Sequence, residues 1–172
     1  MAKRPPLITI GWRENVALPQ WGVAGIRAKV DTGARTSAIH VGSMEKLPDG
    51  QLRFEVVVRE KPTREAVWVV ATPVREAVIK PSSGQAQHRP VFRTLLRVGD
   101  TEREIELSLV SRKGMLCRML IGRTAMRGTF TVDPSRTYLL TDRITGAAKP
   151  PKPRPKRTDP APARRRTPPQ PT

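Results

Sequence analysis

The chain has 172 residues and a formal net charge of +17, with one cysteine and 18 prolines. That length holds one domain with an appendage. The lone Cys117 excludes an internal disulfide, which fits a reducing compartment. No apolar run approaches a membrane span or a signal h-region, so a cytoplasmic, membrane-free protein is expected.

In chain order, residues 1–6 read as a disordered start. Residues 7–10 predict a short strand ended by Gly11, with Trp12, Arg13 and Glu14 at a turn or strand edge and 18–22 as a loop. Over 23–30 apolar and polar residues alternate as in a half-buried strand. The strand delivers the chain to Asp31-Thr32-Gly33. Residues 37–41 then predict a strand with Ala38 and His40 on one face and Ile39 and Val41 on the other. Pro48-Asp49-Gly50 is a strong turn signal. Residues 52–58 and 66–71 predict a hairpin around Lys61-Pro62-Thr63. A polar stretch, 80–90, is expected to project as a long hairpin tip between strands at 74–79 and 91–98. Strands at 104–110 and 115–121, a helical turn at 123–127, and closing strands at 130–132 and 138–140 complete the domain.

Short strands, frequent turns and scarce helical periodicity predict an all-β closed sheet or barrel over 7–142, with one short helix. From 143 onward the chain is basic and Pro-rich. Residues 147–172 hold eight Lys/Arg, one acid and nine of the eighteen prolines. Charge repulsion with few apolar residues predicts a disordered tail. It would contact RNA or the ribosome unspecifically, by phosphate neutralisation, or act only as a solubiliser. It contains no aromatic residue on which bases would stack.

Asp31 is the residue with chemical promise. Gly33 lacks the Cβ that would clash in a sharp turn, Thr32 can hold the loop with its hydroxyl, and Ala34 is small enough for another backbone to approach. Peptide hydrolysis by carboxylates takes two that share a proton, one activating water and one polarising the carbonyl. Asp-Thr-Gly occurs once and no internal repeat is evident, so the second Asp31 must come from another copy across a twofold axis.

Asp31-Thr32-Gly33-Ala34 resembles the active-site motif of the retropepsin-like aspartic proteases. Some ninety residues on, Met119-Leu120-Ile121-Gly122-Arg123-Thr124-Ala125-Met126 is similar to the segment in which they run a strand under the catalytic loop and into a short helix. Together with Gly11-Trp12-Arg13-Glu14, Leu18-Pro19, Ser82-Ser83-Gly84 and His88-Arg89-Pro90-Val91, these segments resemble a bacterial family named "ATP-dependent zinc proteases". Its members are often encoded beside ATP-grasp glutamate ligases. The likeness covers residues 8 to 140. It implies a homodimeric aspartic-type peptidase with Asp31, Thr32 and Gly33 in the catalytic loop, and Ile121, Gly122 and Arg123 buttressing it. The substrate implied is an acidic or glutamylated protein.

Other residues have two readings each. Arg35 either favours an ionised Asp31 and binds substrate beside Ala34, or pairs with a structural acid. Ser83 and Gly84 form either the tip of a substrate-covering flap or a plain surface turn. Arg89 either reads an acidic side chain or ends the hairpin. His40 and His88 would need Cys117 or carboxylates to hold zinc. No His-Glu-x-x-His, paired cysteines or phosphate-binding Gly-rich loop occurs. The expectation is therefore no metal and no cofactor, whatever the family's name, with His40 a hydrogen-bonded strand residue and His88 exposed. The rival functions are a non-enzymatic ribosome- or RNA-binding adaptor and, third, a zinc hydrolase.

Overall fold

β-Branched and aromatic residues alternating with polar ones favour pleated, half-buried chain over helix. The computed structural model, which describes residues 5–80, 84–111 and 114–143, accordingly has ten strands and one short α-helix among those residues. Residues 1–4, Ser83 and the basic tail from 144 lie outside the described residues.

The strands are β1 (Ile8–Leu18), β2 (Val23–Val30), β3 (Ser37–Lys46), β4 (Leu52–Arg59), β5 (Glu65–Ala71), β6 (Arg75–Ile79), β7 (Gln87–Val98), β8 (Thr101–Val110), β9 (Met119–Ile121) and β10 (Phe130–Thr137). The helix α1 (Arg123–Met126) follows β9. Side by side the order is β10-β1-β2-β9-β3-β8-β7-β6, with β4 on β3 and β5 on β4. One residue pair, Ala17 with Arg97, also links β1 to β7, so the sheet curls back on itself.

Several boundaries differ from the sequence expectation. β1 does not stop at Gly11. A Cβ there would lie 2.8 Å from the Arg136 carbonyl oxygen, so this glycine permits close passage of the chain from β10 rather than a break. β1 then shifts register between Gly11 and Arg13 as it passes from β10 to β2. β7 starts at Gln87 and pairs Gln87–Val91 with β6, so much of the expected hairpin tip is ladder. β9 has only three residues. Residues 138–140 are not a closing strand, because Tyr138 turns the chain in the left-handed region (φ 53°).

The core runs between the folded-over parts of the sheet. Ile10, Leu18, Ile26, Ile39, Leu96, Leu107 and Met119 are fully buried in it. Trp21, Phe54 and Phe92 pack edge-on or tilted at centroid separations of 5.1, 6.0 and 5.0 Å. Each of these two buried phenylalanines contributes on the order of 2 kcal/mol through burial.

Candidate active site

The Asp31 loop is fixed where β2 ends, and its anchors come from the far end of the chain. β2 runs parallel to β9, with Val30 opposite Ile121, and the Asp31 amide donates to the Ile121 carbonyl at 2.9 Å. The loop turns around its own carboxylate. Asp31 Oδ1 accepts from the Gly33 amide at 3.0 Å and from the Ala34 amide at 3.2 Å. Oδ2 has no hydrogen-bond partner among the described residues, and the residue is only partly buried. One oxygen is therefore held while the other is open to a water or a second carboxyl group.

Ile121, Gly122 and Arg123 brace this loop. Arg123 Nη1 donates to the Thr32 and Gly33 carbonyls at 2.8 and 2.9 Å, and its amide donates to Ala34 O at 2.9 Å. Thr124 donates twice to the Arg35 carbonyl, from its amide at 3.1 Å and its hydroxyl at 2.9 Å. Gly122 donates to Ser37 Oγ at 3.0 Å, and a Cβ on it would sit 2.7 Å from the Thr36 carbonyl carbon. Only glycine lets β9 pass so close under the loop.

Beside the loop, a cleft of about 920 Å³ opens between Ala34, Arg35 and Thr36, the arm of β6, and β8. Arg75 binds Glu106 across it, and this hydrogen bond first, then the charges of Arg75, Arg93 and Arg35, hold the Glu106 carboxyl below its usual range despite its burial. Arg93 meets Glu104 at 3.4 Å. Arg35 and Lys80, also in the cleft wall, have no ion pair among the described residues. Arg35 makes no ion pair with Asp31 there either. Gly84 and Arg89 do not line this cleft. Gly84 is exposed with φ 86°, and Arg89 lies opposite Ala77 on β7 and donates to Gln87 Oε1 at 2.7 Å. Thr32 is exposed.

The two histidines are far apart in role. His40 is buried on β3, and burial, followed by the charge of Arg118, lowers its pKa below 6.5. His88 is exposed and stands 3.8 Å from Glu76. Cys117 is buried and free, and no three His, Cys, Asp or Glu side chains converge as a metal site among the described residues.

Sequence reasoning gave Glu14 no role beyond its place in a motif. It is buried, and its carboxylate accepts from the amides of Gly11, Leu139, Leu140 and Thr141 and from the Thr141 hydroxyl. Apart from Gly11, its partners lie about 125 residues on in the chain, and no local pattern in β1 marked it.

Comparison with known proteins adds to this geometry. Residues 9–143 match the family model described as "Retropepsin-like aspartic endopeptidase RimB". The chain is 35% identical over 134 residues to a "Probable alpha-L-glutamate ligase" of Shewanella pealeana, covering 76% of this chain and 29% of the relative. It is 36% identical over 129 residues to the one of Desulfotalea psychrophila, covering 73% and 28%. The chain thus spans less than a third of the curated relatives it matches. A crystal structure of a Legionella pneumophila protein of unknown function superposes with a TM-score of 0.63 at 27% identity, over 76% of this chain and 96% of that one.

Proposed function

The chain belongs to the RimB-like family of retropepsin-like aspartic endopeptidases, and from there we propose that it hydrolyses peptide bonds with two Asp31 carboxylates, one from each copy in a homodimer. The observation that carries this reading is the Asp31 carboxylate itself, with Oδ1 pinned by the Gly33 and Ala34 amides and Oδ2 left open. A pair so placed shares one proton. The ionised member takes a proton from water as the water oxygen adds to the carbonyl carbon. The protonated member gives its proton to the carbonyl oxygen. Collapse then breaks the C–N bond: the nitrogen leaves with a proton from the dyad, and one hydroxyl of the diol returns its proton to the other carboxylate as the carbonyl re-forms.

The substrate in this reading is an acidic or glutamylated polypeptide. Arg35 and Lys80 in the cleft wall support it, as cations without an ion pair among the described residues. So does the glutamate chemistry in the names of the relatives.

The test is hydrolysis of a polyglutamylated peptide by the full chain and by its Asp31→Asn variant, with solution mass measured for both. Hydrolysis lost in the variant while both run as dimers is the expected result. Turnover by the variant, or by a monomer, rejects the mechanism.

A further inference from the structure

Among the described residues a second concavity lies apart from the Asp31 cleft and is larger than it. A groove of about 1330 Å³ lies between the start of β2, the middle of β3, the turn joining β4 to β5, and the segment entering β9. Its wall shares no residue with the cleft beside Asp31. Arg27 in this wall precedes Asp31 by four residues on β2, about 13 Å along the strand.

Six cationic side chains line the groove against three carboxylates. All three carboxylates are already engaged: Glu55 with Arg64 through two hydrogen bonds, Glu60 with Arg64 at 3.7 Å, and Glu65 with Arg59 at 3.0 Å. Arg27, Lys61, Arg118 and Arg143 have no ion pair among the described residues. Arg118 Nη1 is moreover buried with no hydrogen-bond acceptor among the described residues. A buried guanidinium nitrogen without an acceptor is costly, and turning the side chain to meet an anionic oxygen in the groove relieves that cost. The same charge is felt by His40 beneath it.

We propose that this groove is a docking site for an acidic polypeptide segment, held by carboxylates on Arg118, Arg27, Lys61 and Arg143, apart from the site of cleavage. Two features favour a peptide over nucleic acid. The wall has no exposed aromatic ring for base stacking, and it carries the apolar side chains of Val58, Met115 and Leu116 between the cations. Leu116 is 64% exposed, a contact surface suited to apolar residues interspersed among acidic ones. The purpose of docking rests on the peptidase reading: a tail anchored here raises the effective concentration of the adjoining chain at Asp31. The binding itself does not.

The test uses the full chain carrying Asp31→Asn, so that nothing is cleaved, and a fluorescein-labelled ten-residue oligoglutamate peptide followed by anisotropy. Adding Lys61→Glu or, separately, Leu116→Asp changes exposed side chains in the groove. Each is expected to weaken binding at least fivefold, while Arg127→Glu, an equal charge reversal elsewhere on the surface, weakens it less than twofold. The proposal is overturned if either groove variant falls short of fivefold, if Arg127→Glu weakens binding twofold or more, or if an unlabelled RNA hairpin displaces the peptide at lower concentration than unlabelled peptide does. Failure of the peptidase reading is seen separately, as absence of hydrolysis by the chain with Asp31 intact.

Discussion

Arg123 holds the carbonyl of Thr32 at 2.8 Å across 91 residues of sequence, and with it the backbone of the loop that presents Asp31. The same nitrogen also takes the Gly33 carbonyl at 2.9 Å. These contacts aim at main-chain atoms, so the side chain fixes the shape of the loop.

Arg123→Ala should therefore cost about 1.5–3 kcal/mol of stability, the range for hydrogen bonds from a charged donor. It should lower peptide hydrolysis far more than stability alone explains, by on the order of a hundredfold, because misplacing a catalytic group is costly. Arg123→Lys should recover part of the stability and little of the activity, since an ammonium does not reproduce the guanidinium fork. Urea unfolding and kcat on one substrate check both.

Gly122→Ala should destabilise the protein by about 1–3 kcal/mol, the usual cost of forcing extra volume into packed surroundings. The added methyl meets backbone of Thr36 and Arg35, at 2.7 to 2.9 Å, with no flexible side chain to yield. Gly50→Ala, where the space is open but φ is +84°, tests backbone strain alone. Comparing the two by thermal melting separates close approach from conformation.

Glu14→Gln keeps the size but replaces one acceptor oxygen by a donor. Backbone amides donate to both oxygens, those of Gly11, Leu139 and Leu140 to Oε1 and that of Thr141 to Oε2, so in either orientation the new NH2 group faces at least one N–H. The expected loss is about 1–3 kcal/mol, as for an unsatisfied buried group. Hydrogen exchange should show residues 138–141 opening first. Uniform protection across the chain in the variant would contradict that role.

Acid should weaken the fold in two stages. His40 is held below its usual 6.5 by burial and by Arg118, so it is neutral when folded and its contribution is complete above that value. The contribution is lost as pH falls from 6.5 through the lower folded value, because the unfolded chain takes up the proton first. Glu55 is lowered from 4.5, chiefly by its hydrogen bonds from Arg64, so its contribution persists above 4.5 and is lost below. Glu55→Gln should flatten stability against pH below 4.5, and His40→Asn should flatten it just below 6.5.

Much of the scaffold was legible from local pattern. The alternation of β2, the turn at Asp49-Gly50 and the β4–β5 hairpin follow from neighbours in sequence, and the strand bounds at Val23 and Val30 agree. Gly11 misled because a glycine reads as a break when the partner that needs its missing Cβ lies 125 residues away in β10 and beyond. Tyr138 to Leu140 looked like a strand because apolar side chains are the same whether they pair or are tied to a buried carboxylate. Of the candidate site, Asp31 through Arg35 and Ile121 through Arg123 are brought together, whereas Gly84 and Arg89 stand outside that cleft.

By itself the sequence determined where the chain alternates, where it turns, and that a lone carboxylate sits in an Asp-Thr-Gly loop, since these depend on residues a few positions apart. Only the tertiary structure decided that Arg123 braces that loop through the Thr32 and Gly33 carbonyls, that Glu14 ties down Thr141, and that Arg27, Lys61 and Arg118 meet in one groove. Such contacts join residues tens of positions apart in the chain, and their partners are chosen by strand register and packing rather than by composition.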